Sequence, residues 1–163
     1  MKGGQEMYIE NDNASKIDMY TEVLYRIAFT YLGNRSDAED IVQETFLKYI
    51  KKKTKFDNDE HEKAWLIRVT INLCKDYLRS FWHRNTTELT EDVIVPHEEN
   101  MQIWESVRRL APKYRIVIEL YYREGYSIKE IASILKKNPS TIGNQLSRAK
   151  KQLEKMLKED AYE

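Results

Sequence analysis

Residues 126–153 read YSIKEIASILKKNPSTIGNQLSRAKKQL, and this stretch decides the fold. Ser127 and Glu130 have the spacing of a capping box, in which the serine oxygen and the glutamate carboxylate satisfy free amides at a helix start. Apolar residues then recur at helical spacing, Asn138-Pro139-Ser140 turns the chain, and a second apolar helical pattern follows. A short capped helix, a brief turn and a second helix rich in polar and basic side chains predict a helix-turn-helix.

A helix-turn-helix places its second helix in the major groove of duplex DNA. The small side chain of Ala132 lets the two helices approach. Polar residues near the start of the second helix then face the bases, and cations further along lie near phosphates. The candidates for these contacts are Ser140, Thr141, Asn144, Gln145, Arg148, Lys150 and Lys151. The alternative is an αα-hairpin with a solvated basic face, and we favour DNA binding.

Upstream of this unit the sequence predicts two further helical segments. One apolar pattern runs from Met101 to Leu110 and breaks before Pro112. Proline suits the first position of the next helix, because its missing amide would be unpaired there anyway. That next helix is predicted to continue to Gly125.

The N-terminal half contains three helical patterns. The first runs from Lys16 to Leu32 and stops at Gly33-Asn34. The second starts at Ser36, whose spacing to Glu39 predicts another capping box. Its expected buried stripe is Ile41, Val42, Phe46, Tyr49 and Ile50. The third runs from about Glu60 to Arg84, and its expected apolar face is Trp65, Leu66, Val69, Leu73, Tyr77 and Phe81.

Residues 85–98 show no helical period and contain four acids but no Lys or Arg, which predicts a flexible acidic linker. No stretch of the chain shows sustained strand alternation. The predicted fold class is therefore all-α, with two small helical domains joined by this linker. We expect the N-terminal domain to cover residues 16–84 and the C-terminal domain, which contains the helix-turn-helix, to cover residues 99–158.

Charge and cysteine content limit the function. The formal net charge is zero, but residues 99–158 contain 13 Lys or Arg against 6 Asp or Glu, as expected for a phosphate-binding domain. Cys74 is the only cysteine, so no internal disulfide can form and a reducing cytoplasm fits. The sequence shows no apolar leader and no run of about 18 apolar residues, so we expect neither export nor direct membrane insertion.

The third N-terminal helix interleaves aromatic, cationic and amide side chains. Such a surface can stack an unpaired base while holding its backbone. Trp65 and Tyr77 sit at core spacing, so we assign them to packing. The polar set that includes Asn72, Lys75 and Arg79 is the better candidate for nucleic-acid contact.

Several of these stretches resemble one known family. Residues 37–46 (DAEDIVQETF) and 64–69 (AWLIRV) resemble the hallmark motifs of extracytoplasmic-function sigma factors, which direct bacterial RNA polymerase to promoters. Leu110-Ala111-Pro112 and residues 141–150 (TIGNQLSRAK) resemble that family's C-terminal domain. The resemblance covers the chain from about Ile17 to Leu157, with the motifs in the family's order.

The resemblance implies two partners, core RNA polymerase and promoter DNA in double- and single-stranded form. Core polymerase would bind Asp37, Glu39, Asp40, Gln43, Glu44 and Lys48, although Asp37 and Glu39 equally fit a helix dipole. The −10 element, including a flipped base, would contact Lys53, Lys55, Phe56, Asn72, Lys75, Asp76, Arg79, His83 and Arg84. The −35 element would bind the helix-turn-helix residues given above. An anti-sigma factor that masks the polymerase-binding surfaces is implied as well.

One stretch departs from the family pattern. Gly143-Asn144-Gln145 stands where the family usually has a basic-Ser-Arg trio. A glycine inside an exposed helix costs about 1 kcal/mol relative to alanine. Fewer cations lower phosphate affinity, while Asn and Gln can still read adenine edges. We therefore expect a weaker or altered −35 preference.

Other function classes fit the sequence less well. His61, His83 and His97 are scattered and lack metal-ligand spacing with Cys74, and no Gly-rich phosphate loop occurs. We expect no catalytic site, no metal and no cofactor. The chief rival is a free-standing helix-turn-helix regulator that binds duplex operators as a dimer. A helical enzyme acting on nucleic acid is a third hypothesis, and it would need a carboxylate-metal cluster.

Overall fold

The computed structural model describes the backbone of residues 3–52, 55–84 and 101–162. The helices are α1 Gly3–Leu32, α2 Arg35–Lys51, α3 Asp59–Arg84, α4 Met101–Arg109, α5 Pro112–Ile118, α6 Ile128–Leu135 and α7 Pro139–Ala161. No strand occurs within these described ranges, and the predicted all-α fold class is confirmed. The predicted linker, residues 85–98, lies outside the described residues, and the domain boundaries stay a prediction.

In the N-terminal half, α1, α2 and α3 pack against one another around a shared core. The turn from α1 to α2 passes through Gly33, whose φ of 72° is a left-handed conformation that glycine adopts without steric cost. α2 is capped by Asn34, whose side-chain oxygen accepts the amide of Asp37 at 3.0 Å. The predicted capping box of Ser36 and Glu39 is therefore wrong, because Asn34 is the N-cap and Ser36 lies inside the helix.

The register of two predicted apolar faces is also wrong in part. Ile50 is 54% exposed although it was expected in the buried stripe of α2. On α3 the fully buried line includes Ile67, Ile71 and Cys74, while Trp65 and the other outer members of the expected face are only half-buried. The reason is that the buried line of α3 also contains a threonine, a residue that a search for apolar periodicity skips.

That threonine, Thr70, is fully buried and its hydroxyl is satisfied within the core. Its Oγ1 lies 2.9 Å from the carbonyl oxygen of Leu66 and 3.1 Å from Oγ1 of Thr45 on α2. Oγ1 of Thr45 lies 2.9 Å from the carbonyl oxygen of Ile41. Because a hydroxyl has one proton, one threonine donates to its own helix carbonyl and accepts from the other, which links α2 to α3 and leaves neither buried hydroxyl unsatisfied.

A buried carboxylate, Glu62, joins all three N-terminal helices. Its Oε1 accepts the hydroxyl of Tyr49 on α2 at 2.6 Å, and its Oε2 accepts Nζ of Lys16 on α1 at 2.9 Å. The hydroxyl of Tyr20 approaches the same Oε2 at 3.4 Å. Burial and this hydrogen bond raise the pKa of Tyr49. Glu62 therefore links the three N-terminal helices through a buried polar network.

In the C-terminal half, α5 begins at Pro112, as expected for a proline in the first turn of a helix. The chain then forms a π-helical turn over Glu119–Arg123 instead of continuing as an α-helix to Gly125. The capping box of Ser127 and Glu130 is confirmed, with hydrogen bonds in both directions.

The helix-turn-helix consists of α6 and α7. Ile131 and Ala132 of α6 pack with the buried face of α7, which is formed by Ile142, Leu146 and Ala149. The turn passes through Lys136, whose φ of 52° is left-handed, and Lys137 donates its amide to the carbonyl oxygen of Ala132 at 2.9 Å. This arrangement ends α6 sharply and starts α7 within three residues.

Within the described part of the chain, none of the helices has the length and apolar content that a membrane crossing requires.

Candidate nucleic-acid interface

The outward face of α2 carries the predicted polymerase contacts. Glu39, Asp40, Gln43, Glu44 and Lys48 are all exposed. Glu39 pairs with Arg35 one turn earlier at 3.0 Å. Asp37 is half-buried. Burial of Tyr77 on α3 and its hydrogen bond with the Asp37 carboxylate raise the pKa of Tyr77 to about 12. The structure thus gives Asp37 a partner inside the domain, whereas the other five side chains face solvent.

Two apolar side chains on α2 were missed by sequence reasoning. Leu47 is 56% exposed and Ile50 is 54% exposed. Leu47 lies one turn from Gln43 and Glu44 on the same outward face. A signal was present, since Leu47 does not fall on the apolar stripe formed by Val42, Phe46 and Tyr49. An acidic face that also exposes apolar side chains has the composition of a protein-docking surface.

The predicted −10 contacts on α3 share one solvent-accessible face. Asn72, Asp76 and Arg79 are exposed, and Arg79 forms an ion pair with Asp76. Lys75 is half-buried, and burial together with the positive charges of Lys137 and Arg79 lowers its pKa. The side chains of His83 and Arg84 lie outside the described residues.

The loop before α3 brings the second group of −10 candidates together with aromatic rings. Phe56 is half-buried and its ring centroid lies 6.3 Å from that of Tyr49 and 5.5 Å from that of Trp65. Lys52 places Nζ 5.2 Å from the centroids of both Phe56 and Trp65. Lys55 is exposed, and Lys53 lies outside the described residues. The loop therefore presents an aromatic cluster with a cation above it, a composition that suits base stacking.

The predicted −35 contacts lie on α7. Ser140, Asn144, Arg148 and Lys151 are exposed and recur at helical spacing, and Thr141 and Gln145 are half-buried beside them. Lys150 lies on a flank of the helix, and its side chain extends over the rings of Tyr121 and Tyr122. Its Nζ is 5.7 Å from the ring centroid of Tyr121 and 5.6 Å from that of Tyr122, and the hydroxyl of Tyr122 raises the pKa of Lys150. The structure thus brings together all the α7 candidates except Lys150.

Gly143 lies next to this face in the first half of α7. A Cβ atom placed there would have no neighbour within 4 Å. Close packing therefore does not require the glycine, and a Cβ atom fits at this position. Among the described residues, no group of three or more His, Cys, Asp or Glu side chains could hold a metal ion.

Comparison with known proteins matches both halves of the chain. Residues 17–84 match the family Sigma-70 region 2, and residues 100–153 match the family Sigma-70, region 4. The RNA polymerase sigma factor SigV of Bacillus subtilis is 30% identical over 142 residues, which cover 83% of this chain and 86% of SigV. The ECF RNA polymerase sigma factor SigW of the same species is 28% identical, over 97% of this chain and 92% of SigW.

Solved structures show the same fold. The sigma factor RpoE of Bartonella quintana, in complex with the anti-sigma factor NepR, superposes with a TM-score of 0.77 at 24% identity, over 90% of this chain and 97% of RpoE. CnrH, in complex with the cytosolic domain of CnrY, has a TM-score of 0.70 at 24% identity, over 93% of this chain and 90% of CnrH. These likenesses show the fold alone.

The two matched regions, in this order, define a sigma factor of the sigma-70 type. The chain belongs to the extracytoplasmic-function sigma factors of bacterial RNA polymerase. It functions as a sigma factor, which binds the core enzyme and recognises promoter DNA. The rival hypothesis of a free-standing dimeric regulator is not favoured.

Proposed function

We propose that this sigma factor divides promoter recognition between two surfaces. The solvent face of α3 holds the displaced single strand of the −10 element, and the solvent face of α7 reads the −35 duplex. One observation supports the proposal: the chain exposes two polar and cationic faces of different composition, one on α3 and one on α7. The α3 surface combines amide and cationic groups near an aromatic cluster, which suits an unstacked strand. The α7 surface is a polar and basic recognition helix, which suits a major groove.

The outward face of α2 is the proposed core-binding surface. Asp40, Gln43, Glu44 and Lys48 supply polar contacts, and Leu47 adds an apolar side chain between them. Such a mixture can attract a basic partner over a distance and then exclude water at the contact.

Strand opening is assigned to binding energy, with no catalytic step, metal or cofactor in this chain. Extracting a base from the duplex costs a few kcal/mol. Stacking of about 1–3 kcal/mol per base, together with phosphate contacts, can offset that cost. The polymerase supplies the remaining contacts, so the sigma factor alone is expected to bind promoters poorly.

The test uses core polymerase, the full-length chain and promoter DNA that carries a premelted −10 bubble. Asn72→Ala and Lys75→Ala are each expected to weaken the complex about fivefold, since a lost hydrogen bond to DNA is worth about 1 kcal/mol. The matched control is Lys129→Ala, which removes an exposed cation from α6 outside all proposed surfaces. Unchanged complex lifetimes for the α3 variants would show that another surface holds the strand.

We also propose an anti-sigma partner and action in the cytoplasm, where the polymerase works. The solved RpoE was determined in complex with the anti-sigma factor NepR, which supports a partner of this kind. Such a partner is expected to compete with core polymerase for the chain. A candidate that binds without lowering core binding would contradict the assignment.

A further inference from the structure

The charged side chains of α7 divide into two groups. Those on its flanks and in its C-terminal half have partners within the protein. The paired set is Lys150 with the hydroxyl of Tyr122, Glu154 with Lys158, Lys155 with Glu159 and Asp160 with Arg109. Arg148 and Lys151 are the two charged side chains of α7 that pair with none of the described residues. Both lie on the face that carries the predicted −35 contacts.

Asn144 lies at the centre of that face. It is exposed, and it stands one turn after Ser140 and one turn before Arg148, which are exposed as well. Its side-chain amide forms no hydrogen bond with any of the described residues. Two N–H donors and a carbonyl acceptor are therefore available to a ligand on this face.

The neighbouring amide, Gln145, has a different position. It is half-buried and lies one turn before Ala149, which is fully buried in the core. Thr141, one turn before Gln145, is half-buried as well. This line of residues marks the border between the core and the exposed face. Asn144 is therefore the more accessible of the two amides.

The composition of α7 favours contact with a base by an amide. Residues 139–153 contain no Asp or Glu, so no carboxylate repels phosphates or accepts from cytosine on this stretch. Gly143 contributes no side chain, and a Cβ atom there would meet nothing within 4 Å. Arg148 and Lys151 supply positive charge for the phosphates. Base recognition in this part of the helix therefore depends on short polar side chains.

We propose that Asn144 reads an adenine in the −35 element, so that this one side chain specifies one A·T base pair. In the major groove, adenine offers N7 as an acceptor and its N6 amino group as a donor. Nδ2 of asparagine donates to N7 while Oδ1 accepts from N6, and no other base presents this pair of groups. The inference rests on the function proposed above for α7 and adds the base and the residue that reads it.

The cations beside Asn144 have a separate task. Contacts of Arg148 and Lys151 with phosphates are independent of sequence, so losing them weakens binding to all −35 sequences alike. Gly143→Arg adds a cation and should strengthen binding to all of them alike, with the preference for adenine unchanged. Losing the amide of Asn144 should weaken binding only to DNA that carries the adenine. Affinity and base preference therefore report on different side chains.

The first experiment selects DNA with the complete holoenzyme, formed from core polymerase and the full-length chain. The probe is a library of promoter fragments with a randomised −35 region and a constant premelted −10 bubble. Wild type should enrich adenine in the −35 region, and Asn144→Ala should lose that enrichment at one position while other positions keep theirs. Alanine favours a helix, so the variant stays folded. The matched control is Gln152→Ala, which removes an exposed amide two turns further along α7.

The second experiment changes one atom of the DNA. In 7-deazaadenine a carbon replaces N7, and Watson–Crick pairing is preserved. At the enriched position this base should weaken binding by the wild-type holoenzyme about fivefold, the effect of one lost hydrogen bond. The Asn144→Ala holoenzyme should bind both DNAs equally, and about tenfold more weakly than wild type binds the natural DNA. Such non-additive effects identify the two groups that are in contact.

The outcomes separate the inference from the proposed function. The inference is overturned if Asn144→Ala enriches adenine as wild type does, or if 7-deazaadenine weakens binding equally in both proteins. It is also overturned if Gln145→Ala alone loses the preference, since the other amide would then read the base. The role of α7 in −35 binding fails if joint replacement of Arg148 and Lys151 by alanine leaves affinity and its salt dependence unchanged. If that replacement weakens binding but Asn144→Ala changes nothing, the proposed function stands and the inference fails.

Discussion

Replacing Glu119 with glutamine should make the protein more stable at neutral and alkaline pH. Glu119 is fully buried at the start of the π-helical turn. Its Oε1 accepts Nη1 of Arg123 at 3.2 Å and its Oε2 accepts the hydroxyl of Thr30 at 3.1 Å. Burial raises the pKa of Glu119 to about 7, although Arg123, Thr30 and Arg26 favour the charged form and Glu124 opposes it. Burial therefore raises the pKa of Glu119 by more than these partners lower it.

The sign of the pH dependence follows from this pKa. A carboxyl that binds its proton more tightly in the folded state contributes stability at low pH, below its unfolded pKa of 4.5. The contribution is lost as the pH rises towards the folded pKa. A pKa of about 7 instead of 4.5 corresponds to about 3 kcal/mol lost across that window. Glutamine cannot ionise, and it can accept from Arg123 while donating to Thr30, so the variant avoids the loss.

The assay is urea unfolding of wild type and Glu119→Gln between pH 5 and pH 8. Groups common to both proteins cancel in the difference between their free energies of unfolding. That difference should move in favour of the variant by about 2–3 kcal/mol as the pH rises. The control is Glu154→Gln, since Lys158 lowers the pKa of Glu154 and the difference should move slightly the other way. A Glu119 difference that stays constant over the range would refute the reasoning.

Three other predictions follow from single side chains. Glu62→Ala should lower the free energy of unfolding by about 3 kcal/mol, because buried partners, Tyr49 among them, lose their acceptor. Glu62→Gln keeps an acceptor and should lower the free energy of unfolding less in the same urea titration. Equal losses for the two variants would contradict the role of the acceptor. Gly143→Arg should strengthen −35 binding and steepen the dependence of affinity on salt by about one phosphate contact. Unchanged affinity and an unchanged salt slope would contradict the expectation that Gly143 weakens −35 binding. Burial raises the pKa of the Cys74 thiol to about 12, so a thiol reagent at mildly alkaline pH should modify it only after unfolding, and rapid modification of the native protein would oppose this.

Local signals predicted the helix-turn-helix and most of the helices, although α1 begins at Gly3 and not at the predicted Lys16. The Ser127–Glu130 capping box and Pro112 at a helix start depend on residues within one turn of each other. Such short-range chemistry is present in the sequence itself. The N-cap of α2 was misplaced for a related reason: Asn34 and Ser36 are both good caps, and which one satisfies the free amide depends on the geometry of the preceding turn.

Core register was harder to predict because polar residues take part in it. Thr70 lies fully buried in the line that packs α3 onto its neighbours, and Glu62 is buried among hydroxyl and ammonium donors from α1 and α2. Hydropathy counts both residues as surface. Their burial depends on partners that are distant in sequence, such as Thr45 for Thr70. Periodicity alone therefore placed the apolar face of α3 too far towards Trp65 and Tyr77.

The candidate surfaces show the same division between local and long-range information. The exposed faces of α2 and α7 follow from helical spacing, so most of their residues were predictable. The contact between domains was not, because nothing local marks Arg68 as a cap for a helix that begins sixty positions later in the chain. Arg68 lies inside the stretch 64–69, whose resemblance to a family motif does not indicate its partner. In the structure its guanidinium donates to the carbonyl oxygens of Ser133 and Ile134, which lie 65 and 66 residues later in the chain. Contacts of this kind become visible only once helices that are distant in sequence have packed together.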